Sequence, residues 1–343
     1  MLQANRFSPL PAALVLLLAG AAQAQPAAVA PAEAPQFLAS AYRDGFQPRA
    51  TAFAAESAAL HAAIDTLCEA PAADADADAA LTAARTQWQA TTTAWDRLAG
   101  VAVGPLVKRR ALTALDFNPT RPPLIERAIG SAPVGAEAME RVGTPAKGIP
   151  ALEWLLWTRK PAPQSPACRY TQQVAIELAR EGATLSAGFA ELAATDWAAD
   201  PARTYLAWQE LFNQWLGGFE RLRWTQIDKP LKTVETSSAG KAPVFARAAS
   251  GHAAQSWAAQ WEALRALAGP VAQSLAASGR KPLADRLTQS VAEADAAMQR
   301  ATPADLPALP AATRALAGVK KLIEAEVAPA LEVVVGFSDG DGD

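Results

Sequence analysis

Apolar side chains recur along this chain at helical intervals, and strand-like alternation is nearly absent. Phe46, Phe53, Leu60, Ile64 and Leu67 fall at spacings of seven, seven, four and three, one face of a long helix. Pro48 either kinks that helix or marks its true start. Pro71 closes it, and the acidic residues of 74–78 form a solvated turn able to cap the next helix. Leu81, Trp88 and Trp95 then repeat by heptads, with Leu98 on the same face. The two helices are expected to face each other across a short turn, as in an up-down bundle.

From 104 to 148 the pattern breaks. Gly104-Pro105, Pro119, Pro122-Pro123, Pro133 and Pro145 punctuate short pieces, and 114–130 reads as an irregular crossover with a brief helix at 124–129. Gly148 opens another helix with Pro150 in its first turn, and the proline-rich stretch 160–166 ends it. A helix over 169–193 comes next. Asp200 and Pro201 start another, along which Trp208, Leu211, Trp215, Phe219 and Leu222 make a strong apolar stripe. Beyond the punctuation at 228–230 and the loop 237–243, helices are expected at 255–267, 283–299 and 311–327. The reading is an all-α protein of two four-helix-bundle-like halves, 36–197 and 198–335, with an acidic tail over 336–343. The ten tryptophans lie mostly on the apolar stripes and are assigned to the core.

The amino terminus bears on where this fold works. Arg6, the apolar run 12–19 and the small-x-small triplet Ala22-Gln23-Ala24 read as a cleaved signal peptide, residues 1–24. No cysteine sits at the cleavage point for a lipid anchor, and no stretch approaches the roughly 20 apolar residues of a membrane span. An exported periplasmic protein is expected. With 31 basic and 34 acidic residues and no dense basic stripe, nucleic acid is excluded as a partner class. The two cysteines, Cys68 and Cys168, each lie beside a helix boundary, in a compartment that permits disulfides. They form either one bridge or a pair of buried thiols.

Candidate chemistry is sparse. Neither histidine belongs to an HExxH pair: His61 lies on a packed helix and His252 at a loop-to-helix junction. Phosphate-loop and GxSxG patterns are absent. The decamer GIPALEWLLW, 148–157, stands apart because it sets Glu153 among Leu152, Trp154, Leu155, Leu156 and Trp157. A carboxylate in such company needs a partner, for which Arg110, Arg121, Arg127 and Arg169 are the candidates. It then serves as a buried ion pair, a metal ligand or an acid–base group. Asp116 and Arg127, in the irregular crossover, are secondary candidates.

These segments resemble the imelysin family, also called peptidase M75. The family signature, Gly-x-His-x-x-Glu followed by an aromatic and two leucines, is matched by Gly148, Pro150, Glu153, Trp154, Leu155 and Leu156. Residues 88–105, 116–119, 168–175 and 228–231 add to the likeness. The resemblance implies two helical bundle halves, a cell-envelope location with outer-membrane association or an outer-membrane receptor as partner, and a link to iron, other divalent metal or haem. The histidine position is Pro150, which offers no lone pair. A metal site on this helix would therefore need His252 or another carboxylate to substitute from elsewhere. The candidate ligand or metal site is Glu153, Asp116 and His252, supported by Gly148, Pro150, Trp154, Trp157, Arg110 and Arg127. Three functions are compatible with that pattern: a non-enzymatic accessory or binding protein in metal or haem acquisition, a metal-dependent peptidase, or an interaction module whose site has degenerated.

Overall fold

The computed structural model describes residues 30–71, 75–235 and 242–336. The expected signal peptide, most of the 237–243 loop and tail residues 337–343 lie outside the described residues. Among the described residues every regular element is helical.

The first half is organised around one long helical path: α1 (Ala34–Ser40), a π-helical segment (Ala41–Phe46) and α2 (Gln47–Glu69). Pro48 sits in the first turn of α2, where its missing N–H costs little, and the widened π turn ahead of it lets the helix run on. Helix α2 packs against both α3 (Ala75–Ala99) and α9 (Pro166–Ala193). Its buried face is Phe53, Leu60, Ile64 and Leu67, as the spacing predicts. Helix α9 starts three residues earlier than the apolar pattern implies, because the Ser165 hydroxyl caps it by accepting from the Cys168 N–H. The Cys68–Cys168 disulfide ties the end of α2 to the start of α9 with a Cα separation of 5.5 Å.

Between α3 and α9 the chain makes short helices: α4 (Pro105–Lys108), α5 (Ala111–Leu115), α6 (Pro122–Ser131), α7 (Gly135–Glu140) and α8 (Gly148–Glu153), the last extended by a π segment, Trp154–Arg159. The second half contains α10 (Pro201–Glu220) with a π segment at Arg221–Asp228, then α11 (Lys229–Glu235), α12 (Ala253–Arg265) and α13 (Ala268–Ala277). Helices α14 (Lys281–Met298) and α15 (Leu309–Leu322), a π segment (Ile323–Val327) and the short α16 (Ala328–Ala330) complete it. Asp200 caps α10 as predicted, accepting from the Arg203 N–H at 3.0 Å.

The two halves share one continuous apolar core. Helix α12 lies along α3, and α10 crosses the end of α3 so closely that a side chain at Gly218 would collide with the Gly100 carbonyl. Trp88, Trp95, Trp208, Trp215 and Trp257 are fully buried. The indole N–H groups of Trp208 and Trp215 donate to the carbonyls of Leu331 and Leu264, so burial leaves these donors paired.

Candidate functional site

The decamer helix is held in place from both ends. Gly148 has φ +77° and its backbone lies on the Leu115 carbonyl, leaving no room for a side chain. Trp88 Nε1 donates to the Ile149 carbonyl at 3.1 Å, which fixes the first turn of α8 on α3. At the far end Arg85 donates Nε and Nη2 to the Leu156 carbonyl at 3.0 and 2.9 Å, in the π segment, where the helical ladder is shifted. Trp157 packs edge-on to Trp88 with centroids 5.0 Å apart. Trp154 is only partly buried against the core.

So anchored, Glu153 is 6% exposed and turns toward the segment preceding α12. Its Oε1 accepts from the Ser250 N–H at 2.9 Å and from the Ser250 hydroxyl at 2.7 Å. Three residues earlier in that turn stands Arg247, 3% exposed and with φ +64°. Its Nη2 donates to Asp116 Oδ2 at 2.7 Å, and the same oxygen accepts from Trp95 Nε1 at 3.0 Å. Burial opposes the charge on Arg247, but Asp116, Asp96 and Glu153 outweigh it and hold its pKa above the ordinary arginine value. Its Nε and Nη1 are buried with no hydrogen-bond partner among the described residues.

Asp96, on α3, completes the node from the opposite side. It accepts from Ser256 Oγ at 2.6 Å and Gln260 Nε2 at 3.2 Å, both on α12. Burial, with a smaller push from Asp116, raises it to about 7 despite Arg247 and these two hydrogen bonds. His252 caps the same turn, with Nε2 2.9 Å from Thr93 Oγ1. Because the Thr93 hydroxyl donates its one proton to the Gln89 carbonyl, it accepts from His252, whose Nε2 therefore carries the hydrogen. Burial and then Arg247 push His252 down to about 4, so the ring is neutral at neutral pH.

The structure thus brings Glu153, Asp116 and His252 to one region, around a residue that the sequence pattern did not single out. The four arginines proposed as partners of Glu153 do not reach it. Arg110, Arg121, Arg127 and Arg169 are all exposed, and Arg169 donates instead to the Gln164 carbonyl. Their place is taken by Ser250 and Arg247, about a hundred positions further along the chain. Asp96 was missed as well, although a carboxylate beside Trp95 on a buried stripe is itself a signal. His61 lies apart, 3.1 Å from Asp65 one turn on.

A metal does not fit this node. Among the described residues no group of three or more His, Cys, Asp and Glu is arranged to hold a metal ion. The guanidinium of Arg247 is already the counter-charge to the acids, and a cation placed beside it would be repelled. Pro150, at the position where the family signature has histidine, supplies no ligand.

The fold and the node together define a class: an all-helical, two-bundle protein built around a buried carboxylate–arginine cluster. The model of the family Imelysin (Peptidase_M75) matches residues 46–328, and the chain belongs to that family. Among solved structures it is similar to an imelysin-like protein from Psychrobacter arcticum 273-4, with TM-score 0.75 and 21% identity over 90% of this chain and 99% of that one. It is also similar to a candidate iron-regulated protein A precursor from Parabacteroides distasonis ATCC 8503, with TM-score 0.66 and 15% identity over 90% and 97%. No curated protein matches.

Proposed function

We propose that this protein is a non-enzymatic accessory of the bacterial cell envelope, serving iron, other metal or haem acquisition by binding rather than by hydrolysis. The observation that carries this reading is Arg247. Metal-assisted peptide cleavage needs about three protein ligands and an open coordination position. Here the signature carboxylate is engaged by Ser250 and faces a fixed cation, so the decamer helix acts as a structural node. The iron-regulated description of a similar structure and the export signal read from residues 1–24 support a role in the envelope. No helix of the described residues is long and apolar enough to cross a membrane. An outer-membrane receptor is the partner class this reading favours.

The test is a calorimetric titration of the metal-stripped protein with ferrous and ferric iron, zinc, calcium and haem, beside Glu153→Ala and a peptidase assay. The expected result is saturable binding of iron or haem that survives in Glu153→Ala, with no peptide hydrolysis under any metal. Metal-dependent hydrolysis abolished in Glu153→Ala would restore the peptidase. Silence toward every metal and haem would remove the acquisition role.

A further inference from the structure

A second arginine, far from the signature in sequence, has no comparable company. Arg49 lines a groove of about 490 Å³ between the α1–α2 path and the α12–α13 turn, together with Phe37, Phe46, Leu267 and Pro270. That volume lies within the range of small-molecule sites. The Arg49 side chain is half-buried and makes no hydrogen bond or ion pair among the described residues. Its charged neighbours Arg97 and Glu262 are bound to each other at 2.9 Å and so largely cancel. Burial lowers its pKa, as expected for a guanidinium without its own counter-charge.

The acids of the groove do not supply that counter-charge. Asp44 is engaged by Arg43, through Nε at 2.9 Å and Nη2 at 3.0 Å, and by the Ser40 hydroxyl. Glu33 is at the other end of the helical path, sixteen residues and roughly 24 Å from Arg49 at 1.5 Å per residue. At physiological ionic strength that exceeds the distance over which exposed charges interact. Gly45 is a separate pointer. Its φ is not in the left-handed region, yet a side chain there would meet nothing within 4 Å. The glycine leaves the groove floor open without any backbone need for it.

We infer that this groove binds an amphipathic carboxylate, its head on Arg49 and its apolar body along the exposed parts of Phe37, Ala41, Ala266 and Pro270, over the buried Phe46 and Leu267. From Arg49 to Phe37 the helical path spans about 18 Å, the length of a medium acyl chain. This site is independent of the signature node, and its test leaves that node untouched.

The probe is sodium dodecanoate, titrated by calorimetry into the protein, with 1-dodecanol as the uncharged match. The expected result is saturable 1:1 binding of dodecanoate and at least tenfold weaker binding of the alcohol. Arg49→Gln should lose at least tenfold in affinity, and Arg49→Lys should retain most of it. Gly45→Leu fills the floor with Arg49 intact and should also lose binding, which keeps the question decidable if Arg49→Gln folds poorly. Absence of saturable binding to the wild type, or undiminished binding in Gly45→Leu or in folded Arg49→Gln, overturns the assignment.

Discussion

Arg247 and Arg49 are the same residue in opposite surroundings. Arg247 is 3% exposed, bonded to Asp116 and flanked by Asp96 and Glu153. Arg49 is half-buried beside an open groove with no carboxylate bound to it. The first arrangement is charge-compensated by the carboxylates around it, and only its Nε and Nη1 lack hydrogen-bond partners among the described residues. The second leaves a partly desolvated cation uncompensated, which costs stability in the free protein and favours an incoming anion. The proposed ligand site therefore lies away from the most conspicuous motif.

The contrast is most exposed to disproof at Arg247, where the expected effect is greatest. Arg247→Met keeps the stem but strands buried carboxylates and should cost about 3–5 kcal/mol. Urea unfolding measures it, and a loss under 1 kcal/mol would show that the node is not electrostatically coupled. Next comes Glu153→Gln, which retains an acceptor for Ser250 but removes one charge facing Arg247. A loss of about 1–3 kcal/mol is expected, smaller than for Arg247→Met, and a reversed ranking would make Glu153 the hub.

Titration of the node adds a finer distinction. Asp96 is raised from 3.8 to about 7, so the folded state holds its proton more tightly, and stability falls as pH rises through that window. His252 is lowered from 6.5 to about 4, so its contribution is present above 6.5 and is lost as pH falls toward 4. Between 4 and 6.5 the two slopes oppose each other, and only the Asp96 slope, at most about 1.4 kcal/mol per pH unit, continues to 7. Wild-type stability should therefore be nearly level from pH 5 to 6.5 and fall toward 7, whereas melting curves of Asp96→Asn should rise up to 6.5 and then stay level. Parallel curves would remove Asp96 from the titrating set. The smallest effect belongs to the other arginine: Arg49→Met should change stability by no more than about 0.5 kcal/mol, or raise it. A loss as large as that of Arg247→Met would mean that Arg49 has a structural partner.

How much could be read from the sequence depends on the range of the signals. Helix existence is local, and the spacings of Phe53, Leu60, Ile64 and of Trp208, Leu211, Trp215 identified both long helices and their buried faces. Glu153 was legible because a charge among leucines and tryptophans is anomalous within ten residues of chain. Its partners were not. The arginines nearest in sequence were the natural candidates, and all are exposed.

The order of residues alone is thus enough to specify an all-helical chain, its main apolar stripes, the family signature and the residue that breaks it, Pro150. It took the folded chain to bring the turn before α12 back over α8, placing Ser250 on Glu153 and Arg247 on Asp116. The same folding leaves Arg49 open on a groove while Arg247 is enclosed. The physical reason is that helical periodicity is set within a few turns by backbone hydrogen bonding and side-chain burial. The partner of a buried charge is set by the path of the whole chain, which no local spacing encodes.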